Sequence, residues 1–320
     1  MKRFKLKEIA EAANVSVSTV SRVLSDSQIV SDSSREAVYT AIGQLNTKRP
    51  GDDKLQVRKT ILILTSNFSH PVHSIMLEAI TKTAHENGYT ATVCSSNNRL
   101  LSFEALYTLV TDTNASGIIL LTCAARLKDL EKLSRLLPIV YSGGLPQGSP
   151  LSCVSFNYYD LFKELTLQCI SLGKKHIGIL QLKRYLFTEM PSVAGFMDAL
   201  KESGLNYDRS LFLMPESFDY LYIYDQLDAF FRHRPRINAL LCENDALAIA
   251  ASSAARKNGY SIPDDILVIA SNGTHLSQMC YPPIRAVTLP MDRLGICICE
   301  MVMRQIRENS REPEHTYLEY

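Results

Sequence analysis

The eleven residues from Asn14 to Leu24, NVSVSTVSRVL, admit two incompatible readings of one set of side chains. Val15 to Ser18 alternate apolar and polar, as a half-buried strand does, whereas Val20, Val23 and Leu24 recur at the spacing of a helix face. The flanking sequence decides between them. LKEIAEAA places Leu6, Ile9, Ala10 and Ala13 on one helical face, VSTVSRVL places Val17, Val20, Val23 and Leu24 on another, and SREAVYTAIGQLN places Ala37, Val38, Ala41, Ile42 and Leu45 on a third. Ser16 stands where the second helix needs an N-cap, and Ser31 with Asp32 opens the third, where an acid suits the helix dipole. Only NVS separates the first two helices, and a helix, a short turn and a second short helix form the helix-turn-helix pattern. The strand-like alternation is then incidental, with Val15 a turn residue plugging the small core.

The net charge of +1 conceals an asymmetry. Residues 1–60 carry eleven Lys or Arg against seven Asp or Glu, and the remaining residues carry 23 against 26. A basic head on a slightly acidic body points to a polyanion as the partner of the head. No apolar run reaches the length of a membrane span, and the N-terminus MKRFKLKEIAEAA lacks the apolar core of a signal peptide, so the cytoplasm is the expected location and no membrane partner is expected.

At 320 residues the chain fits two or three folding units. TKRPGDDKLQVRK, residues 47–59, is polar, holds Pro50-Gly51 and reads as a hinge or linker, which gives a helical domain over 1–46 and a core over 60–320. In the core, strand patterns over 60–64, 90–93, 117–121, 139–141, 176–180, 239–242 and 266–270 alternate with helical patterns over 72–87, 101–113, 127–136, 158–172, 192–203, 220–232, 245–258 and 291–308. Such alternation predicts an α/β fold with parallel sheets, in one sheet or two, covered by helices on both faces. Ligands of such sheets bind beyond the carboxyl ends of strands, which singles out Asn67 and His70, Ser95 to Asn98, Ser142-Gly143, Glu243-Asn244-Asp245 and Ser271-Asn272. Each alone also serves as an ordinary cap or turn residue.

The eight Cys are scattered through apolar segments without a C-x-x-C, and the close pair Cys297-x-Cys299 points to different faces of a helix. They read as buried thiols in a reducing compartment, with no metal site. No phosphate-binding, dinucleotide-binding, zinc-hydrolase or nucleophile-elbow motif is present, so an enzyme is not expected and no cofactor is called for.

The segment LKEIAEAANVSVSTVSRVLSDSQIVSDSSREAVYTAIGQLN resembles the headpiece of the lac repressor (LacI/GalR) family of bacterial transcription regulators. The likeness continues through NASGIILL, SLGKKHIGIL, VAGFMDAL, ENDALAIAA, SIPDDILVIASNGT and CYPPIRAV, and so covers essentially the whole chain. It implies an all-α helix-turn-helix headpiece and a periplasmic-binding-protein-like α/β core of two doubly wound subdomains with a small effector in the cleft. It further implies a homodimer on near-palindromic double-stranded operator DNA, acting as a repressor whose subdomains change orientation when ligand binds. Carried over from the family, Val17, Ser18 and Arg22 face base edges, where Arg22 can fork onto a guanine and Val17 can meet a thymine methyl. Ser16, Thr19 and Ser21 suit phosphate oxygens and capping. A solute-binding or carbohydrate-processing protein on the same core is the competing class.

Two departures from the family pattern stand out. The linker lacks the usual aromatic start at Thr47, has Pro50 displaced and carries Asp52-Asp53 where phosphates would lie. A weak or absent hinge helix follows, with Leu55 the candidate wedge into the minor groove. The resemblance also places His73, Ser192, Asn244, Asp245 and Asn272 at effector positions, but Ser192 stands at a common Arg, Asn272 at a common Asp and Gly143 at another charged residue. This set predicts a neutral ligand held differently, a nucleoside or an unusual sugar, or else a diminished or corepressor-type response.

Overall fold

The fold is given by a computed structural model, which describes residues 6–24, 30–47, 59–66, 68, 70–97, 99–122, 125–145, 148–182, 190–216 and 219–320. Three helices come first, α1 (Leu6–Ala13), α2 (Val17–Leu24) and α3 (Asp32–Thr47). They share a small core in which Ile9 and Ala10, Val20 and Val23, and Val38, Tyr39, Ala41 and Ile42 are buried. α1 and α2, at eight residues each, are too short to persist alone, so this shared burial holds them against α3. Two residues read onto the packing faces lie outside them: Leu6 is 40% exposed and Val17 is 44% exposed. Both sit in the first turn, where the chain enters the helix ahead of the buried stripe. Val15 in the turn is half-buried rather than a full plug. α3 runs through Thr47, which the sequence reading put in the linker. The Leu45 side chain, Leu55 and the rest of the linker from 48 to 58, with its predicted hinge, lie outside the described residues.

The remainder forms two sheets rather than one. The first has strand order β11-β5-β4-β3-β1-β2, from β1 (Thr60–Thr65), β2 (Thr90–Ser95), β3 (Ala115–Thr122), β4 (Ile139–Ser142), β5 (Ser152–Phe156) and β11 (His315–Leu318). The second has order β10-β9-β8-β6-β7, from β6 (Ile177–Leu180), β7 (Phe212–Leu213), β8 (Ala239–Cys242), β9 (Leu267–Ala270) and β10 (Arg285–Ala286). The helices between them are α4 (Pro71–Glu86), α5 (Phe103–Asp112), α6 (Leu127–Ser134), α7 (Tyr158–Ser171), α8 (Pro191–Glu202), α9 (Tyr220–Arg232), α10 (Asp245–Lys257), α11 (His275–Met279) and α12 (Met291–Glu308). The pairs β1 with β2 and β3, β3 with β4, β4 with β5, β6 with β7 and β8, and β9 with β8 and β10 are all parallel.

The chain divides into two compact units. One comprises residues 1–66, 78–154 and 295–315, the other 67–77, 155–294 and 316–320. The chain order of the strands is the same in each: the first strand of the unit lies between the second and the third. That reversal makes a switch point, between β1 and β3 in the first unit and between β6 and β8 in the second. Sequence periodicity missed β5, β7, β10 and β11. β5, SCVSF, is buried at every position, so its serines break the apolar pattern without marking a solvent face. β7 and β10 are two residues each and carry no period.

The first unit ties its C-terminal end to β5: Gln305 Nε2 donates to Ser152 Oγ at 2.8 Å, and Cys153 N donates to the Glu314 carbonyl at 2.8 Å. In the second unit α7 and α8 approach closely. Tyr159 Oη donates to Asp198 Oδ2 at 2.7 Å and Lys163 pairs with Glu202 at 2.7 Å. The close approach rests on Gly195, where an added Cβ would lie 2.0 Å from the Tyr159 carbonyl oxygen. α9 and α10 are clamped by the buried Asp228 carboxylate, which accepts from Arg232 at 2.6 Å, Lys257 at 3.0 Å and Asn258 Nδ2 at 2.8 Å. No described helix is long and apolar enough to cross a membrane. Cys153, Cys169, Cys242 and Cys299 are buried thiols, and Cys297 is only half-buried.

Gly195→Ala should be destabilising by about 3 kcal/mol, because overpacking against a backbone atom outweighs the gain in helix propensity. Urea unfolding followed by circular dichroism measures this, and an unchanged or raised midpoint would refute the close-packing assignment. The Lys257 and Asn258 hydrogen bonds hold the Asp228 carboxyl down at about 2, against the opposing effect of burial and with Arg232 helping. Its contribution to stability is therefore complete above the ordinary aspartate value of about 3.9 and is lost as pH falls toward 2. Asp228→Asn should flatten the acid limb of a melting-temperature profile between about pH 4 and 2, relative to wild type.

Candidate functional site

The helix-turn-helix is closed by local chemistry. Asn14, at φ 51°, takes the left-handed conformation that ends α1, and Val15 N donates to the Ala10 carbonyl at 3.0 Å. Ser16 then caps α2: its Oγ accepts from Thr19 N at 3.0 Å and lies 2.7 Å from both Ser18 Oγ and Thr19 Oγ1. Val20 and Val23 turn inward, which leaves Val17, Ser18, Ser21 and Arg22 on the exposed face and Thr19 half-buried at its margin. The six residues expected to meet DNA on this helix are thus brought together, three of them in one hydroxyl cluster at its N-terminus. A short, hydroxyl-rich face ending in a guanidinium can enter a groove closely and offers donors to phosphates and base edges.

The second candidate site lies within the second unit, where β6, β8 and β9 end side by side in parallel register. Glu243 follows β8 and its Oε2 accepts from Leu182 N at 2.8 Å across the switch point between β6 and β8. Ser271, after β9, donates from Oγ to the Glu243 carbonyl at 2.7 Å. Asn244 caps α10, its Oδ1 accepting from Leu247 N at 2.9 Å, and Asp245 Oδ2 accepts from Thr274 N at 2.9 Å. Ser192, in the first turn of α8, donates from Oγ to Gln181 Oε1 at 2.9 Å. These groups are buried, and four polar atoms among them and their neighbour Tyr220 have no hydrogen-bond partner: Asn244 Nδ2, Asp245 Oδ1, Asn272 Oδ1 and Tyr220 Oη. Burial pushes the Tyr220 phenol up, the Glu243 carboxylate adds to the rise, and the nearby Asn244 side chain opposes it without reaching hydrogen-bond geometry.

Of the expected effector residues, Ser192, Asn244, Asp245 and Asn272 all belong to these strand-end and helix-start positions. His73 belongs to the first turn of α4, where it is buried with its ring stacked on His70 at 4.5 Å. Gly143, in the first unit, has φ +141° and an added Cβ would lie 2.7 Å from the Tyr141 ring, so no side chain fits there without moving it. Sequence reasoning left Gln181, Tyr220 and Thr274 unmarked, and noted Glu243 and Ser271 only as strand-end polar residues. Among the described residues no group of His, Cys, Asp or Glu could hold a metal ion.

Comparison with known proteins agrees with both halves of this description. Residues 5–48 match the family of bacterial regulatory proteins, lacI family, and residues 58–318 match the periplasmic binding proteins and sugar binding domain of the LacI family. The HTH-type transcriptional repressor PurR of Pasteurella multocida is 24% identical over 313 residues, covering 96% of this chain and 93% of the relative. PurR of Erwinia tasmaniensis is 26% identical over 317 residues, covering 97% and 92%. Among solved structures, the transcriptional regulator CelR-cellobiose complex has a TM-score of 0.71 at 22% identity, covering 99% of this chain and 97% of that one. The lac repressor dimer bound to operator and the anti-inducer ONPF has a TM-score of 0.71 at 22% identity, covering 99% and 96%. A family match running from the helix-turn-helix through both α/β units assigns the chain: it belongs to the lacI family of bacterial regulatory proteins, and is a DNA-binding transcription regulator with an effector-binding core, not an enzyme.

Proposed function

We propose that the chain is a homodimeric repressor that acts on near-palindromic operator DNA in the cytoplasm, where bacterial DNA lies, and responds to a small hydroxyl-bearing ligand of the sugar or nucleoside class. The observation that carries the DNA half is the exposed face of α2, with Ser18, Ser21 and Arg22 outward over a core closed by Val20 and Val23. In this reading Arg22, Ser18 and Val17 read base edges in the major groove, while Ser16, Thr19 and Ser21 position the helix on phosphates. Two-fold related heads meet half-sites about one helical turn apart. Leu55 is proposed as the minor-groove wedge on the family likeness alone.

The ligand half rests on the shell around the ends of β6, β8 and β9. Buried polar atoms without partners are unfavourable unless something satisfies them. Asn244, Asp245 and Asn272 offer donors and acceptors of the kind that hydroxyls need. Ligand occupancy and operator affinity are coupled, whichever of the two signs the coupling takes. The 1–46, 47–59 and 60–320 division serves this reading as a DNA-binding domain, a connecting hinge and a ligand-binding and dimerisation core.

Arg22→Ala should reduce binding to a selected operator by about 10- to 100-fold, the loss of one bidentate base contact, while binding to random duplex at low salt falls much less. Fluorescence anisotropy against both duplexes measures this, and equal losses on both would remove Arg22 from base reading. Ser16→Ala should destabilise the headpiece by about 1 kcal/mol through loss of the α2 cap. Thermal melts of the full chain monitor that change separately from DNA affinity.

A further inference from the structure

An asparagine followed by glycine loses its side-chain amide readily, because a residue without a side chain lets its backbone nitrogen approach the asparagine carboxamide carbon. The chain holds three such pairs, Asn87-Gly88, Asn258-Gly259 and Asn272-Gly273. The first two follow helix ends, and both reacting groups are engaged there. Gly88 N donates to the His85 carbonyl at 3.1 Å, and Asn87 Nδ2 donates to the Thr83 carbonyl at 2.9 Å. Gly259 N donates to the Arg256 carbonyl at 2.9 Å, while Asn258 Nδ2 donates to Asp228 Oδ1 at 2.8 Å and to the Ala254 carbonyl at 2.9 Å. Such bonds must break before the nitrogen can attack the carboxamide.

Asn272-Gly273 differs at both groups. Gly273 N donates to no described group, and no hydrogen bond holds the Asn272 side chain. Its Cγ is therefore free to turn toward the Gly273 nitrogen. Glycine is required at 273, where φ is +55° and an added Cβ would lie 2.6 Å from Thr288 Cα. Lability at this bond is then decided by residue 272 alone. The pair follows β9 within the shell described above, just before Thr274, whose N–H is bonded to Asp245.

We infer that Asn272-Gly273 is a site of spontaneous deamidation that adds a carboxylate to this shell. The Gly273 nitrogen gives its proton to a base and attacks Asn272 Cγ. The new C–N bond forms, the Cγ–Nδ2 bond breaks and ammonia leaves. Water then opens the resulting imide ring, at Cγ to give aspartate or at the main-chain carbonyl to give isoaspartate. The balance is one water consumed and one ammonia released, with no oxidant or enzyme. A further consequence rests on the reading of this shell as the effector site. A side chain with both a donor and an acceptor becomes an anion that only accepts, so aged chains hold the ligand less tightly.

The test keeps the full chain folded in mildly alkaline buffer below its melting temperature and follows the three Asn-Gly peptides over time by mass spectrometry. The Asn272 peptide should exchange amide for acid about tenfold faster than the other two, which must first break hydrogen bonds. Its product should accept a methyl group from an isoaspartyl methyltransferase. In denaturant the three rates should draw together, which assigns their order to the fold. Equal or faster reaction at Asn87 or Asn258 in the folded chain overturns the inference. So does an Asn272 peptide that reacts in denaturant but keeps its amide in the folded chain. Ligand response is read separately by thermal shift with D-glucose, D-galactose, D-ribose, adenosine and guanosine. A probe that stabilises the fresh chain should stabilise the aged chain and Asn272→Asp less. Equal stabilisation overturns the consequence for ligand and leaves the modification. No stabilisation by any probe overturns the effector reading, and the modification stands on the peptide rates.

Discussion

A parallel sheet sends the carboxyl ends of all its strands to one edge, and the second unit is organised by that constraint. β6, β8 and β9 are aligned residue by residue through Leu180, Cys242 and Ala270, so the residues immediately after them cannot avoid one another. Those residues are Gln181 and Leu182, Glu243 to Asp245, and Ser271 and Asn272, and their hydrogen bonds run across the strand ends rather than along the chain. The backbone ladder stops there, which leaves polar main-chain groups that side chains must satisfy. Leu182 N finds Glu243 and Thr274 N finds Asp245, so the chemistry of the shell grows out of the same requirement that terminates the sheet.

The headpiece solves a different problem with fewer resources. Three helices share one small apolar cluster, and the second of them must present most of its surface to solvent. The turn achieves this with Asn14 in a left-handed conformation and Ser16 as cap, so that α2 is anchored only by Val20, Val23 and the half-buried Leu24. Its outward positions are then free to be chosen for contact with another molecule rather than for packing.

Much of this was legible in the sequence where a regular period coincided with burial on one face. The three headpiece helices, the parallel strands from Thr60 to Leu64 and from Ala239 to Cys242, and the long helices between them all announce themselves that way. Legibility failed where the period is too short or burial is two-sided, as at β5 and at the two-residue strands β7 and β10. For the candidate sites, helical spacing was enough to place Ser18, Ser21 and Arg22 on one exposed face, but spacing cannot bring residue 182 to residue 243. The Glu243 carboxylate was visible as a strand-end residue, and its partner only emerged from the crossing of the chain between β6 and β8. Tyr220 gave no signal at all, because an aromatic at a helix start is indistinguishable from a core residue until its hydroxyl is seen to be buried.

The composition of α2 has a consequence for how the headpiece is held together. VSTVSRVL contains three valines, two serines and a threonine, residues with modest helix propensity, and Val17 remains 44% exposed. Such a helix is held by its cap and by two buried valines rather than by its own preference. A surface substitution in α2 that raises helix propensity would therefore be felt by the whole three-helix cluster, which has little other burial to share.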